Sequence, residues 1–115
     1  GLYSSDKPKA KELLLKSLEY NPKLGTAYLF LAQLYANSAS DCGKTEFEKK
    51  AVYNLAIETI KKAAVADEKL KANVTMFVND FSKEALSATD ISKAKMNGKT
   101  ITIGCWINEK ITLSK

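Results

Sequence analysis

Residues 10–35 read AKELLLKSLEYNPKLGTAYLFLAQLY and hold a helix, a sharp stop and a second helix in succession. Ala10, Leu13, Leu14 and Leu18 recur at three- and four-residue steps, which gathers them on one helical face. Asn21 and Pro22 then end that helix and start the next. An Asn side chain accepts a bond from an exposed helix amide, and Pro fits the first helical position. The second apolar stripe is Leu24, Tyr28, Leu31, Ala32 and Tyr35.

Working outward, the first helix is predicted over about 7–20, entered through Asp6 and Pro8, after a frayed lead-in at 1–5. Glu12 stands four residues before Lys16, as on a wet helix face. The second helix, about 23–37, gives way to NSASDCGK, which reads as loop. Thr45 and Glu48 form a Thr-x-x-Glu cap, so a long third helix begins near Glu46, with Val52, Leu55, Ala56, Ile60 and Ala63 as its inner stripe. A fourth helix, about 68–86, carries Val74, Phe77, Val78 and Phe81. The following SATDISKAKMNGKT is polar and broken, with at most one helical turn after Thr89 or Asp90.

From Lys99 the period changes to that of a strand. Ile101, Ile103, Cys105 and Ile107 alternate with Thr100, Thr102, Gly104 and Trp106. Asn108 and Glu109 make the turn, and Ile111 and Leu113 resume the alternation on a return strand. A lone two-stranded hairpin is marginal in water and must lie against helices. The expectation is that it covers Val74, Phe77 and Phe81 on the last long helix, with Trp106 and the Ile row as its contact surface.

The spacings recur within the chain. Ala56, Ile60 and Ala63 repeat Ala10, Leu14 and Ser17, while Val74, Phe77, Val78 and Phe81 repeat Tyr28, Leu31, Ala32 and Tyr35. The corners at Asn21 and Asp67 stand 46 positions apart. Tyr28, Leu31, Ala32 and Tyr35 resemble the large-x2-Leu-small-x2-Tyr pattern in the first helix of a tetratricopeptide repeat (TPR). Ala10, Leu14, Ser17 and Pro22 resemble the end of a preceding second helix. The period exceeds the roughly 34 residues of a standard repeat, and the excess falls in the loop and the first turns of the third helix. The DCG at 41–43 together with GKTITIGCWI at 98–107 resembles the C-terminal part of TPR proteins from the Bacteroidetes group of bacteria.

That resemblance implies an all-α, TPR-like helical-hairpin solenoid fragment of about four main helices over 1–86. A linker at 87–98 and a C-terminal β-hairpin cap at 99–115, packed on the last helices, complete the expected organisation. It implies a non-catalytic protein-interaction or assembly scaffold within a larger bacterial protein, in the periplasm or cell envelope. Upstream repeats of the same chain and a protein or peptide would be its partners. The alternative is a structural cap that ends a repeat array and has no ligand of its own. Such arrays bind along their first helices, which here present Leu29, Phe30, Gln33 and Asn37, then Thr75, Met76, Asn79 and Lys83. Exposed apolar groups beside amides suit an extended or helical peptide. Covering of Leu29, Phe30 and Met76 by neighbouring helices or by missing upstream repeats explains their apolar character equally well.

Cys42 in the loop and Cys105 on the hairpin admit two readings. A bridge would tie the cap back to the helices and contribute ~4 kcal/mol in an oxidising compartment, which the implied envelope location would supply. Two separate thiols, one packed and one in a loop, are the other.

Composition narrows the function classes. The 115 residues, 45% apolar and 27% charged, suit one folded domain. The formal charge is +5, yet all eighteen basic residues are Lys, spread along the chain. Nucleic-acid readers draw on Arg for bidentate contacts, so no nucleic-acid partner is expected. Histidine is absent, which removes the usual base near neutral pH and the commonest metal ligand. Gly98, Lys99 and Thr100 resemble the end of a phosphate-binding loop, but Lys93 stands where that loop needs Gly. Glu46 and Glu48 point to different helix faces, Glu58 pairs with Lys62, and Asp80 and Glu84 share one face without any partner that suggests a cleft. The string Asn73-Val74-Thr75 lies on a helix and carries no weight as a glycosylation signal. No catalytic residues, metal or cofactor are therefore expected. No apolar run reaches the ~18 residues of a membrane helix, so no membrane insertion is expected of this segment. Opening at Gly1 with half a repeat, the chain reads as a piece of a longer protein, and the lack of a signal peptide carries no weight.

Overall fold

The computed structural model describes residues 7–114, so the roles read into Asp6 and the lead-in before it fall outside the described residues. The elements in order are α1 (Lys7–Tyr20), α2 (Gly25–Asn37), α3 (Ala39–Cys42), α4 (Glu46–Ala66), a 3-10 turn (Glu68–Leu70), α5 (Lys71–Ser82), α6 (Ala88–Lys93), β1 (Thr100–Ile103) and β2 (Glu109–Thr112). The chain is mostly helical, with one two-stranded antiparallel sheet among the described residues.

Both helix corners use one local device. Asn21 closes α1 by donating its N–H to the Ser17 carbonyl at 2.9 Å, and its Oδ1 accepts from the Lys23 amide at 3.1 Å. Asp67 repeats this after α4, with its N–H on the Ala63 carbonyl and its Oδ1 accepting from Lys69 at 3.1 Å. Short polar side chains bond their own backbone two residues on and so hold a turn. Asn21 therefore does not cap α2, as the sequence reading had it. Its oxygen is committed to Lys23, and Leu24, the residue before α2, offers no side-chain cap.

Thr45 does cap α4, accepting from the Glu48 amide at 3.1 Å, while Glu48 reaches back to the Lys44 amide at 2.9 Å. The predicted loop before it contains α3, because Ser38 accepts from the Cys42 amide and its hydroxyl donates to the Leu34 carbonyl. Ala39 and Cys42 are buried, so this turn packs rather than floats. α6 starts at Ala88, two residues before the earliest expected start, and its six residues exceed the single turn expected, since Ser87 and Asp90 form a reciprocal capping box.

α4 is the centre of the molecule. Val52, Ala56, Ile60 and Ala63 on it have no measurable exposure. α2 lies across this stripe with Leu31, Ala32 and Tyr35, and α5 adds Val74 and Phe81 to the same core. Small side chains at Ala32, Ala56 and Ala63 let the backbones come close. Gly25 marks one such close approach: a methyl there would stand 2.6 Å from Leu70 Cδ1 and 2.8 Å from the Ala63 carbonyl oxygen.

The ribbon differs from expectation in two ways. β1 pairs with β2 so that Ile101 faces Ile111 and Thr100 faces Thr112, but the ladder stops at Ile103 opposite Glu109. Residues 104–108 form a loop in which Cys105 (φ 62°) and Asn108 (φ 45°) are left-handed. The alternation thus runs on in sequence where the chain has already left the strand. The ribbon also lies elsewhere. Trp106 packs on Tyr35 of α2 with ring centroids 5.8 Å apart, Lys11 of α1 reaches Ile107 and Glu109, and Cys105 joins Cys42. Ile103, Ile107, Ile111 and Leu113 are buried in the common core. The expected cover over the last long helix is supplied instead from the chain around it. Tyr53 of α4 packs on Phe81 at 6.2 Å, with Phe77 of the same helix 5.8 Å from it, and Leu86 is pinned by its amide donating to Asn54 Oδ1 at 2.8 Å.

Candidate functional site: a cleft between α1 and α2

The turn at 21–24 holds α1 and α2 side by side, and between them opens a cleft of about 520 Å³. α1 contributes Lys7, Leu14 and Ser17, and Leu24 closes one end. α2 contributes Ala27, Phe30 and Leu34 as apolar wall, with Thr26, Gln33 and Asn37 as polar rim. Phe30 stands 56% exposed beside it. An aromatic ring held half in water next to an apolar cleft is informative in a way that a single exposed Leu is not. Two of the polar groups bond to their own helices: Ser17 Oγ donates to the Leu13 carbonyl at 3.0 Å, and Gln33 Nε2 to the Leu29 carbonyl at 3.2 Å. Lys7, at the other end from Leu24, lies 4.0 Å from Asp41.

Of the residues proposed from sequence, Phe30, Gln33 and Asn37 meet in this cleft. Leu29 is instead half-buried against the core. Thr75, Met76 and Asn79 are exposed on α5, and Lys83 follows its last turn. The Thr75 hydroxyl is spent on the Lys71 carbonyl at 3.0 Å. The wall facing Phe30 and Gln33 is therefore α1, not α5. Leu14 and Ser17 were missed because their spacing marks an inward stripe. Their partial exposure is the signal that this stripe is not fully covered.

A second cluster fastens the ribbon. The Lys11 side chain, only 14% exposed, pairs with Glu109 at 2.7 Å, donates to the Ile107 carbonyl and lies 5.8 Å from the Tyr35 ring centroid. Burial pushes the Tyr35 hydroxyl well above the ordinary tyrosine range, and the Glu109 charge pushes the same way. The cluster ties the ribbon to α1 and α2. Beside it, Cys42 at the end of α3 and Cys105 are disulfide-bonded with Cα atoms 5.2 Å apart.

The remaining motifs resolve locally. Gly98 is left-handed (φ 78°) and its amide donates to the Leu113 carbonyl at 2.7 Å, which makes it the turn into β1. Among the described residues no group of three or more His, Cys, Asp or Glu could hold a metal ion. No helix among them is long and apolar enough to cross a membrane. Compared with known proteins, the chain matches no family model, no curated protein and no solved structure.

Proposed function

We propose that this chain is a non-catalytic, TPR-like helical module that docks protein through the cleft between α1 and α2. The observation that carries the reading is Phe30, held half in water beside an apolar cleft whose rim offers Gln33 and Asn37. Apolar wall with a few amides is the make-up of a peptide-docking surface. Support for the repeat comes from the matched corners at Asn21 and Asp67 and from the stripes that recur 46 positions apart. Membership of a larger bacterial envelope protein rests on the sequence resemblance, and the Cys42–Cys105 bridge agrees with an oxidising compartment. Further repeats of the same polypeptide belong to this proposal.

The test is partner recovery by Phe30→Asp and Asn79→Ala variants, each checked for an unchanged melting temperature. The docking reading expects Phe30→Asp to lose the partner and Asn79→Ala to keep it. A second reading, a cap without a ligand, draws on the ribbon, which buries four aliphatic side chains and is clamped by Lys11 and the disulfide. Recovery that survives Phe30→Asp and fails only on deletion of residues 99–115 would favour it.

A further inference from the structure

A second pocket, of about 370 Å³, opens on the other side of α2 from the cleft, where α1, α2, α4 and the start of β2 meet. α2 lines it with Tyr28, Leu31 and Tyr35, which helical spacing sets opposite Phe30 and Gln33. Leu18, Leu31 and Leu55 are buried and form its apolar floor. Two polar groups lie among them. Thr59 is 6% exposed, and its hydroxyl is spent on the Leu55 carbonyl at 2.9 Å. Tyr35 is 2% exposed, and its hydroxyl makes no hydrogen bond among the described residues. No fully enclosed side-chain oxygen or nitrogen is left without a partner among those residues, so the Tyr35 oxygen meets solvent, and the pocket that Tyr35 lines is the way to it. The phenol is protonated at neutral pH, since burial first and the Glu109 charge second both raise its pKa. The floor therefore presents one uncharged group that can both donate and accept.

We infer that this pocket binds a small uncharged organic molecule, an apolar body bearing a hydroxyl or carbonyl that hydrogen-bonds the Tyr35 phenol. Its volume falls in the ~300–1,000 Å³ range of small-molecule sites, and an apolar wall with a single placed polar group is their usual make-up. A pure hydrocarbon would strip water from the phenol without replacing it, which costs binding energy. A charged head would have to leave water for a floor of leucines, where nothing pairs with it. The charges of the pocket stand at its rim and balance. Glu109 is paired with Lys11 at 2.7 Å, and Glu19, Glu58, Lys62 and Lys110 are exposed, two of each sign. The rim thus draws in neither anions nor cations. Because Glu109 and Lys110 begin β2, the ribbon completes the wall. This site shares no lining residue with the cleft between α1 and α2, so it stands apart from the docking reading.

The experiment titrates the whole chain, followed by NMR shifts at neutral pH, with 2-naphthol, naphthalene, 2-naphthoate and 2-naphthylmethylammonium. These share one apolar body and differ in the group offered to Tyr35. The expected order puts 2-naphthol first, about fivefold or more tighter than naphthalene, as one hydrogen bond to a buried neutral group gives, and ahead of both charged analogues. Shifts should centre on Leu18, Tyr28, Leu31 and Leu55. Tyr35→Phe should bring 2-naphthol down to the affinity of naphthalene, with the melting temperature unchanged or higher because the lost hydroxyl bonds no described residue. Leu15→Trp, which enlarges the 41% exposed part of the wall, should weaken both compounds without moving the melting temperature. No saturable binding of 2-naphthol up to its solubility limit, a preference for either charged analogue, or an unchanged preference for 2-naphthol over naphthalene in Tyr35→Phe overturns the inference. A lower melting temperature in Tyr35→Phe overturns it too, by showing that the hydroxyl is bonded within the fold. Shifts centred on Phe30 and Gln33 would place the compounds in the cleft and overturn it while leaving the docking reading standing.

Discussion

Replacing Cys105 by Ser, or reducing the bridge, should cost this fold more than any other single surface change. The two cysteines are 63 positions apart. In the chain-entropy account, a loop of that length takes about 14 cal/mol/K from the unfolded state, or about 4.3 kcal/mol at room temperature. For a chain of this size the unfolding entropy is about 0.24 kcal/mol/K, so the full effect would lower the midpoint by ~18 °C. Ile103, Ile107, Ile111 and Leu113 keep the ribbon attached after the bridge is cut, so the fold survives and its stability is what changes. Cys105 is exposed, and Ser in its place leaves no cavity to add to the loss. Calorimetry with and without reductant, alongside Cys105→Ser, should show a fall of ~9–18 °C, the lower end allowing for disulfides that deliver half the entropic figure. A fall under ~2 °C, or two thiols alkylated in the native unreduced protein, would refute the reasoning.

Gly25→Ala should destabilise by ~1–3 kcal/mol, because the new methyl meets the Ala63 carbonyl, which is backbone and cannot swing aside; urea midpoints at an unchanged slope would show it. Lys11→Met should cost ~1–2 kcal/mol by leaving Glu109 and the Ile107 carbonyl without their donor, and a double-mutant cycle with Glu109→Gln should return a coupling of the same sign. Asp90 is held below the usual carboxylate range, first by the Ser87 amide and then by the Ser87 hydroxyl, with Lys50 and Lys93 adding to the effect. A carboxylate depressed in the folded state contributes stability above its unfolded value near 3.9 and loses it as pH falls through the lower folded value. In Ser87→Ala the Asp90 midpoint, followed by NMR, should rise toward the ordinary value.

Much of the helical framework could be read from residues 10–35 because apolar spacing is a local property. The α4 start follows from the Thr45 cap, and the stripes at Leu31, Ile60 and Val74 do share one core. What the spacing could not reveal is where a separately folding piece comes to rest. Trp106 rests on Tyr35, and Lys11 and the Cys42 pairing hold the ribbon there through contacts far apart in the chain, which leave no local pattern. The strand was drawn too long for a related reason. Ile107 keeps the alternation, but Cys105 takes a left-handed backbone that no pattern of apolar residues records. The cleft was half legible: Phe30, Gln33 and Asn37 stood out as exposed on α2, whereas Leu14 and Ser17 carry the spacing of a buried stripe and read as core.

The most direct test of the account is an amide and methyl chemical-shift map of the chain titrated with the partner that the wild-type chain recovers. The account predicts shifts centred on Leu14, Ser17, Leu24, Phe30 and Gln33, with Thr75, Met76 and Asn79 unmoved. Shifts centred on α5, or confined to the ribbon, would contradict it.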